Sequence, residues 1–85
     1  MLNILTIKDV KSKIGEWCKQ KRLEYELSQE ELARELEMSR VTIQQLESGS
    51  NVTLDTLLKV ANHFNSLAAL YKFFNEGTNT PDSLY

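Results

Sequence analysis

Two short helical patterns separated by a very short break lie near the middle of the chain. Ser28 is followed three residues later by Glu31, which is the spacing of a capping box and predicts a helix that begins at Gln29. Ser39 can cap a second helix, and Gly49 offers the left-handed residue that ends it. Because the break is too short for a loop, the sequence predicts two helices that cross over a tight turn. The residues predicted to face inward are Leu32, Ala33 and Leu36 on the first of these helices and Ile43 and Leu46 on the second.

Three further helices are predicted on the two sides of this pair. Thr6, with Asp9 three residues later, can cap a first helix over about 7–25. Thr53 caps a fourth helix, and a fifth runs over about 67–75. A strand is the alternative for the last segment, but its two alanines disfavour that structure. The predicted inward residues are Ile7, Val10, Ile14 and Cys18 on the first helix, and Leu54, Leu57, Leu58, Ala61 and Phe64 on the fourth.

The fifth predicted helix carries more apolar surface than one neighbouring helix can cover. This excess predicts a homodimer interface, and the alternative is a two-helix contact inside the monomer. The residues assigned to the dimer interface are Leu67, Leu70, Tyr71, Phe73 and Phe74.

The length of 85 residues indicates one domain. We expect an all-α, five-helix fold with its core in about 7–75 and a flexible carboxyl-terminal tail over about 76–85. Apolar residues make up 41% of the chain and charged residues 26%, as in soluble globular proteins. No apolar run approaches the roughly 18 to 20 residues that cross a bilayer, and no signal-peptide pattern is present, so we expect a cytoplasmic protein without a membrane partner.

The chemistry-bearing residues are few. Cys18 is the only cysteine and has no partner for an internal disulfide, which fits a reducing compartment. Cys18 and the single histidine, His63, cannot build a structural zinc site without several carboxylates or a second chain. The sequence also lacks a nucleophile motif and a glycine-rich phosphate loop. We therefore expect no metal, no cofactor and no enzyme activity.

Charge is unevenly distributed along the chain, whose net charge is −2. Residues 1–22 carry six lysine and arginine residues against two acidic ones, whereas residues 23–47 carry two arginines against seven glutamates. Nucleic-acid-binding domains are more often basic, so a DNA target would be held by few phosphate contacts. The alternative is that both blocks are solvated helix surface.

From about Ile14 to Phe74 the chain resembles the Cro/repressor (XRE-type) family, a group of lambda-repressor-like DNA-binding domains. The resemblance rests on Leu27-Ser28-Gln29-Glu30-Glu31-Leu32-Ala33, then Ser39-Arg40-Val41-Thr42-Ile43, and then Leu46-Glu47-Ser48-Gly49. It implies a helix-turn-helix whose third helix enters the major groove of double-stranded DNA. It also implies a structural ion pair between Arg22 and Glu47, which would tie the first helix to the end of the third.

The resemblance and the outward positions of the third helix give the candidate DNA contacts. Arginine favours guanine, glutamine can pair with adenine, and valine can meet a thymine methyl group. The expected base contacts are Arg40, Val41, Gln44 and Gln45. The expected phosphate contacts are Ser28, Gln29, Ser39, Thr42, Ser48 and Asn51.

Two features depart from the family pattern. Glu37 stands where the turn usually has glycine, so it must accept a left-handed conformation that costs about 1 kcal/mol. The segment after Gly49 lacks the basic residues and the proline of many relatives, which leaves neutral phosphate donors there.

Three functions fit these residues. The first is a sequence-specific transcriptional regulator, a repressor, that acts as a homodimer on a two-fold DNA site. The second is an antitoxin that binds a toxin protein and represses its own operon. The third is a protein-interaction adaptor that does not bind DNA, which an acidic surface around the third helix would favour.

Overall fold

A computed structural model describes residues 4–78 of the chain. It contains five α-helices, and no strand occurs within that range. The predicted all-α, five-helix class is therefore confirmed. The helices are α1 (Ile7–Glu24), α2 (Gln29–Glu35), α3 (Arg40–Ser48), α4 (Leu54–His63) and α5 (Leu67–Thr78).

Side-chain caps start the first four helices at the predicted residues. The Thr6 hydroxyl accepts a hydrogen bond from the Asp9 amide at 3.0 Å, and the Asp9 carboxylate accepts one from the Thr6 amide at 3.0 Å. Ser28 and Glu31 form the same reciprocal box at the start of α2. Because the Ser28 amide and hydroxyl bond to it, the Glu31 carboxyl has a pKa below its ordinary value. Ser39 and Thr53 cap α3 and α4.

A left-handed residue follows the end of each of these four helices. In each case its amide and the next amide donate back to carbonyls of the last turn, as in a Schellman motif. After α2, for example, the Met38 amide donates to the Ala33 carbonyl at 2.9 Å. The predicted left-handed conformations of Glu37 and Gly49 are confirmed, and two further ones were not predicted. The four residues are Glu26 (φ 56°), Glu37 (φ 56°), Gly49 (φ 76°) and Asn65 (φ 58°).

The core forms where α1 and α2 pack against α3, and α4 covers it. Backbones come very close between α1 and α3, because a Cβ added at Gly15 would lie 2.4 Å from the Glu47 carbonyl oxygen. Gly49 likewise lies against the backbone of Lys11 and Ser12. These contacts fix the end of α3 on the middle of α1. The buried apolar residues are Cys18, Leu32, Ala33, Ile43, Leu46, Val60, Ala61 and Phe64.

Three of the predicted inward positions are wrong. Ile7 is 77% exposed, Val10 48% and Leu54 68%. Because α3 meets α1 at Lys11 and Ser12, the first turn of α1 extends beyond its neighbour. Conversely Val60, which was not predicted to face inward, is fully buried.

Helix α5 lies on α4 and buries none of its own residues fully. It continues to Thr78, so the first three residues of the predicted tail, from Glu76 onward, are helical. The rest of that tail lies outside the described residues. Among the described helices, none combines the length and the apolar character that crossing a membrane requires.

Candidate nucleic-acid interface

The outer face of α3 is open and carries no acidic side chain. Ile43 and Leu46 are fully buried and turn this helix so that the opposite face points away from the core. Residues 41, 44, 45 and 48 follow the spacing of one helical face, and the edge residue 40 adds the only charge. The exposed residues are Arg40, Val41, Gln44, Gln45 and Ser48, so the structure brings all four predicted base contacts together.

A buried ion pair joins α1 to the carboxyl end of α3. Arg22 Nε donates to Glu47 Oε2 at 2.6 Å, and Arg22 Nη2 donates to Glu47 Oε1 at 3.0 Å. Arg22 Nη1 also donates to the Leu27 carbonyl oxygen at 2.8 Å. The two side chains are 8% and 5% exposed. The pair therefore removes the one acidic charge of α3 from the surface and holds the helix in place.

Gln29 adds a third side chain to this ion pair. Its Nε2 donates to Glu47 Oε1 at 3.0 Å. The side chain that was predicted to contact a phosphate is thus turned towards the core. The Gln29 backbone amide lies in the first turn of α2, where amides have no partner within a helix and can bind an anion.

Two hydroxyl groups among the predicted phosphate contacts, those of Ser28 and Ser39, already cap a helix. Ser28 accepts from the Glu31 amide, and Ser39 accepts from the Thr42 amide at 3.1 Å. The Ser39 and Thr42 hydroxyls also bond to each other at 2.9 Å. The Ser28 hydroxyl keeps its proton to donate, whereas the bond between Ser39 and Thr42 uses the proton of one of those two hydroxyls. Ser28 and Ser39 fix the first turns of α2 and α3 and are exposed, and Thr42 is partly buried.

Polar residues cluster around Gln45 where α3 ends. The Ser48 hydroxyl donates to the Gln45 carbonyl oxygen at 3.0 Å and lies 2.9 Å from the Ser50 hydroxyl. Asn51 Nδ2 donates to Gln45 Oε1 at 3.3 Å. Ser48 and Asn51, two of the predicted phosphate contacts, therefore interact with a predicted base contact.

Four acidic residues lie on α2 and in the turn that follows it. Glu35 is paired with His63, whose Nε2 lies 2.6 Å from Glu35 Oε1 and so links α2 to the end of α4. Glu31 is held in the capping box, and Glu37 is exposed in the turn. None of these carboxylates belongs to the outer face of α3, whose exposed residues are all non-acidic.

Cys18 lies in the core and not at this surface. Burial and, to a smaller extent, the Glu47 carboxylate raise the pKa of its thiol to about 12. The thiol is consequently a packing group at neutral pH. Within residues 4–78, no cluster of three His, Cys, Asp or Glu side chains has the arrangement of a metal site.

An apolar groove of about 800 Å³ opens between α1, α4 and α5, away from the outer face of α3. Several residues of this groove were predicted to face inward. Ile14 and Leu57 do pack against the core from the edge of the groove, whereas Val10 and Leu54 are exposed beside it. On the α5 side of the groove, the rings of Phe73 and Phe74 pack edge to face with their centroids 4.9 Å apart. The apolar groove is lined by Val10, Ile14, Trp17, Leu54, Leu57, Leu58, Ala69, Leu70, Phe73 and Phe74, with Lys13, Lys21 and Ser66 beside them.

Comparison with known proteins agrees with this geometry. The family model described as helix-turn-helix matches residues 19–72, which is more than half of the chain and includes α2, α3 and α4. Neither a curated protein nor a solved structure gives a significant match. The capped helix pair, the exposed α3 face and the extent of this match lead to one conclusion: the chain belongs to the Cro/C1-type (XRE-type) helix-turn-helix family of DNA-binding regulators.

Proposed function

We propose that this protein is a sequence-specific transcriptional repressor that binds DNA as a homodimer and inserts α3 into the major groove. The observation that carries the proposal is the outer face of α3, where Arg40, Val41, Gln44 and Gln45 are exposed together. Their side chains supply donors, an acceptor and a methyl contact, which are the groups that distinguish base pairs in that groove. Because this face carries no acidic side chain, it favours DNA binding over the adaptor function, for which we expected an acidic surface around α3.

The backbone of the target would be held by neutral groups. The candidates are the amides that begin α2, the hydroxyls of Ser28, Ser39 and Thr42, and the side-chain amide of Asn51. The Ser48 hydroxyl would join them by releasing the Gln45 carbonyl oxygen. Because Arg40 is the only cation on the outer face of α3, few counterions should leave the DNA when the protein binds. We therefore expect a shallow dependence of affinity on salt concentration.

Dimerisation through α5 completes the proposal. Tyr71, Phe73 and Phe74 are 74%, 67% and 62% exposed, and Leu67 is also exposed. Leu70 is half-buried and lines the apolar groove. A large contiguous apolar surface of this kind is characteristic of an interaction site. A two-fold contact there would present two copies of α3 to successive major grooves, about 34 Å apart.

An antitoxin role is the second candidate, and the same apolar groove favours it. A toxin segment placed in that groove would leave the outer face of α3 free, and it would contact Leu70, Phe73 and Phe74 in place of a second copy of the chain. The protein encoded by a neighbouring gene, co-expressed with this one, would distinguish the two roles. A stable complex that still binds DNA supports the antitoxin, whereas no complex supports the simple repressor.

Selection of genomic DNA fragments by the purified full chain tests the proposal. Fragments are bound at low salt, sequenced, and then titrated with protein at several salt concentrations. We expect enrichment of a two-fold site whose affinity falls only weakly as salt increases. A folded protein that enriches no sequence at low salt would contradict the repressor function and favour the adaptor.

A further inference from the structure

Gln45 is the one predicted base contact whose side chain is held by another residue of the described chain. Asn51 Nδ2 donates to Gln45 Oε1 at 3.3 Å. The backbone supports this bond, because the Ser50 and Asn51 amides both donate to the Gln45 carbonyl oxygen, at 3.1 and 3.4 Å. The Ser48 and Ser50 hydroxyls bond to the same oxygen at 3.0 and 3.4 Å. The segment after α3 is thus folded back onto Gln45, and this places the Asn51 side chain beside the Gln45 amide.

This arrangement limits what Gln45 can offer to a base. A glutamine recognises adenine by using both amide atoms side by side, with Oε1 accepting from N6 and Nε2 donating to N7. The bond to Asn51 turns Oε1 towards the connection between α3 and α4. Nε2 remains free, and it can only donate. A base edge that accepts hydrogen bonds, such as guanine O6 and N7 or thymine O4, then fits Gln45 best.

We propose that Asn51 is a specificity-determining residue, which holds the Gln45 amide so that it reads a hydrogen-bond acceptor in the major groove and not adenine. The inference rests on the proposed DNA-binding function and adds a residue outside α3 to base recognition. It differs from a phosphate contact in a measurable way. Loss of a phosphate contact weakens binding to all sequences alike, whereas loss of a positioning residue changes the preference at one base pair.

The test is selection from a random duplex library with the full chain and two variants. Asn51→Ala frees Gln45 Oε1, so we expect the preference at one base pair to shift towards adenine by about fivefold or more. Asn51→Asp replaces the donor by an acceptor, which attracts Gln45 Nε2 and turns Oε1 outward. For this variant we expect a shift at the same base pair towards a base that presents an amino group. Asn51 is exposed, so both variants should keep the wild-type melting temperature.

Two controls isolate the contact. Ser50→Ala removes a hydroxyl that bonds only to the Gln45 backbone carbonyl and to Ser48, and it should leave the base preference unchanged. In a Gln45→Ala background, adding Asn51→Ala should no longer change the preference at that base pair. A shift that persists without the Gln45 side chain would overturn the proposal.

The outcomes separate this inference from the proposed function. Binding that weakens equally for all sequences in Asn51→Ala, with no change of preference, would overturn the positioning role and leave the repressor proposal standing. Failure of the wild-type protein to select any duplex would overturn both. A shift at one base pair that depends on Gln45 supports both.

Discussion

At the scale of single residues, Gly15 and Gly77 are helical glycines in opposite surroundings. A Cβ at Gly15 would lie 2.4 Å from the Glu47 carbonyl oxygen and 2.6 Å from that of Leu46, and backbone cannot move aside as a flexible side chain can. Nothing lies within 4 Å of the corresponding position at Gly77. Gly15→Ala should therefore lower the free energy of unfolding by about 2–3 kcal/mol through overpacking.

Gly77→Ala is the matched control for this prediction. It makes the same chemical change in an open part of α5, where alanine is the better helix former, so stability should stay equal or rise by up to about 1 kcal/mol. Urea denaturation of the two variants measures both effects. A Gly15→Ala protein as stable as Gly77→Ala would show that α1 and α3 do not approach as described.

The left-handed turn residue Glu37 gives the second prediction. A non-glycine residue in this conformation is strained by about 1–2 kcal/mol, and glycine is not. Since glycine also adds entropy to the unfolded chain, Glu37→Gly should raise the free energy of unfolding by about 0.5–1 kcal/mol. Glu37→Ala keeps the strain and should give no gain. Thermal melts of both variants decide the matter, and equal melting temperatures would contradict a strained turn.

The sequence predicted some of these residue conformations because the chemistry is local. Glu37 and Gly49 occupy recognisable positions at the ends of the helix pair, and both are left-handed. Glu26 adopts the same conformation without a distinguishing residue pattern, whereas Asn65 is of the residue type that most often replaces glycine there. The close approach at Gly15 depends on how α1 lies on α3, which no local pattern specifies.

At the scale of helices, the buried pair of Arg22 and Glu47 connects α1 with the end of α3. Removing one partner leaves a buried charge unpaired, so Arg22→Met or Glu47→Leu alone should cost about 3–5 kcal/mol of stability. The double variant has no unpaired charge and should be more stable than the sum of the single losses implies. Urea denaturation of all four proteins gives the coupling energy.

The exposed pair of Lys13 and Glu16 serves as a comparison. Its atoms are 2.7 Å apart, close to the 2.6 Å of the buried pair, but both side chains are largely in solvent. Solvent screens such a pair, and its coupling should be much weaker. Additive losses at Arg22 and Glu47, without coupling, would refute their structural role.

Helix starts were predicted better than helix faces. Thr6, Ser28, Ser39 and Thr53 cap the predicted helices because a capping bond spans only three residues. Periodicity, by contrast, identifies which side of a helix is apolar without showing how far the neighbouring helix reaches. Leu54 illustrates this limit, since it lies on the apolar side of α4 and remains 68% exposed beside the groove.

At the scale of the whole molecule, the exposed aromatic residues of α5 predict a dimer in solution. Phe73→Glu places a charge in the proposed interface, and because Phe73 is 67% exposed, the monomer should keep its fold. Val41→Glu makes a comparable change at an exposed apolar residue on α3 and should leave the dimer intact. Sedimentation of the three proteins measures their masses. A wild-type chain that stays monomeric at high micromolar concentration would contradict the interface.

The position of the candidate DNA surface was predictable, and its internal contacts were not. Once Ile43 and Leu46 are assigned to the core, the opposite side of α3 must face solvent. That side carries Arg40, Val41, Gln44 and Gln45. The bond between Asn51 and Gln45 depends on the path of the chain after α3, and that path has no periodic signal. The same holds for the apolar groove, which exists because α5 leaves space beside α1 and α4.

The most direct measurement of the central claim compares the affinity of wild type, Arg40→Ala and Arg34→Ala for the selected duplex and for a shuffled one. Arg40→Ala should lose about 1–3 kcal/mol on the selected duplex and much less on the shuffled one, because its two donors read a base. Arg34→Ala removes the same charge from the exposed surface of α2 and should weaken both complexes equally. If Arg40→Ala instead weakens both duplexes equally, α3 does not read bases through this residue, and the account is contradicted.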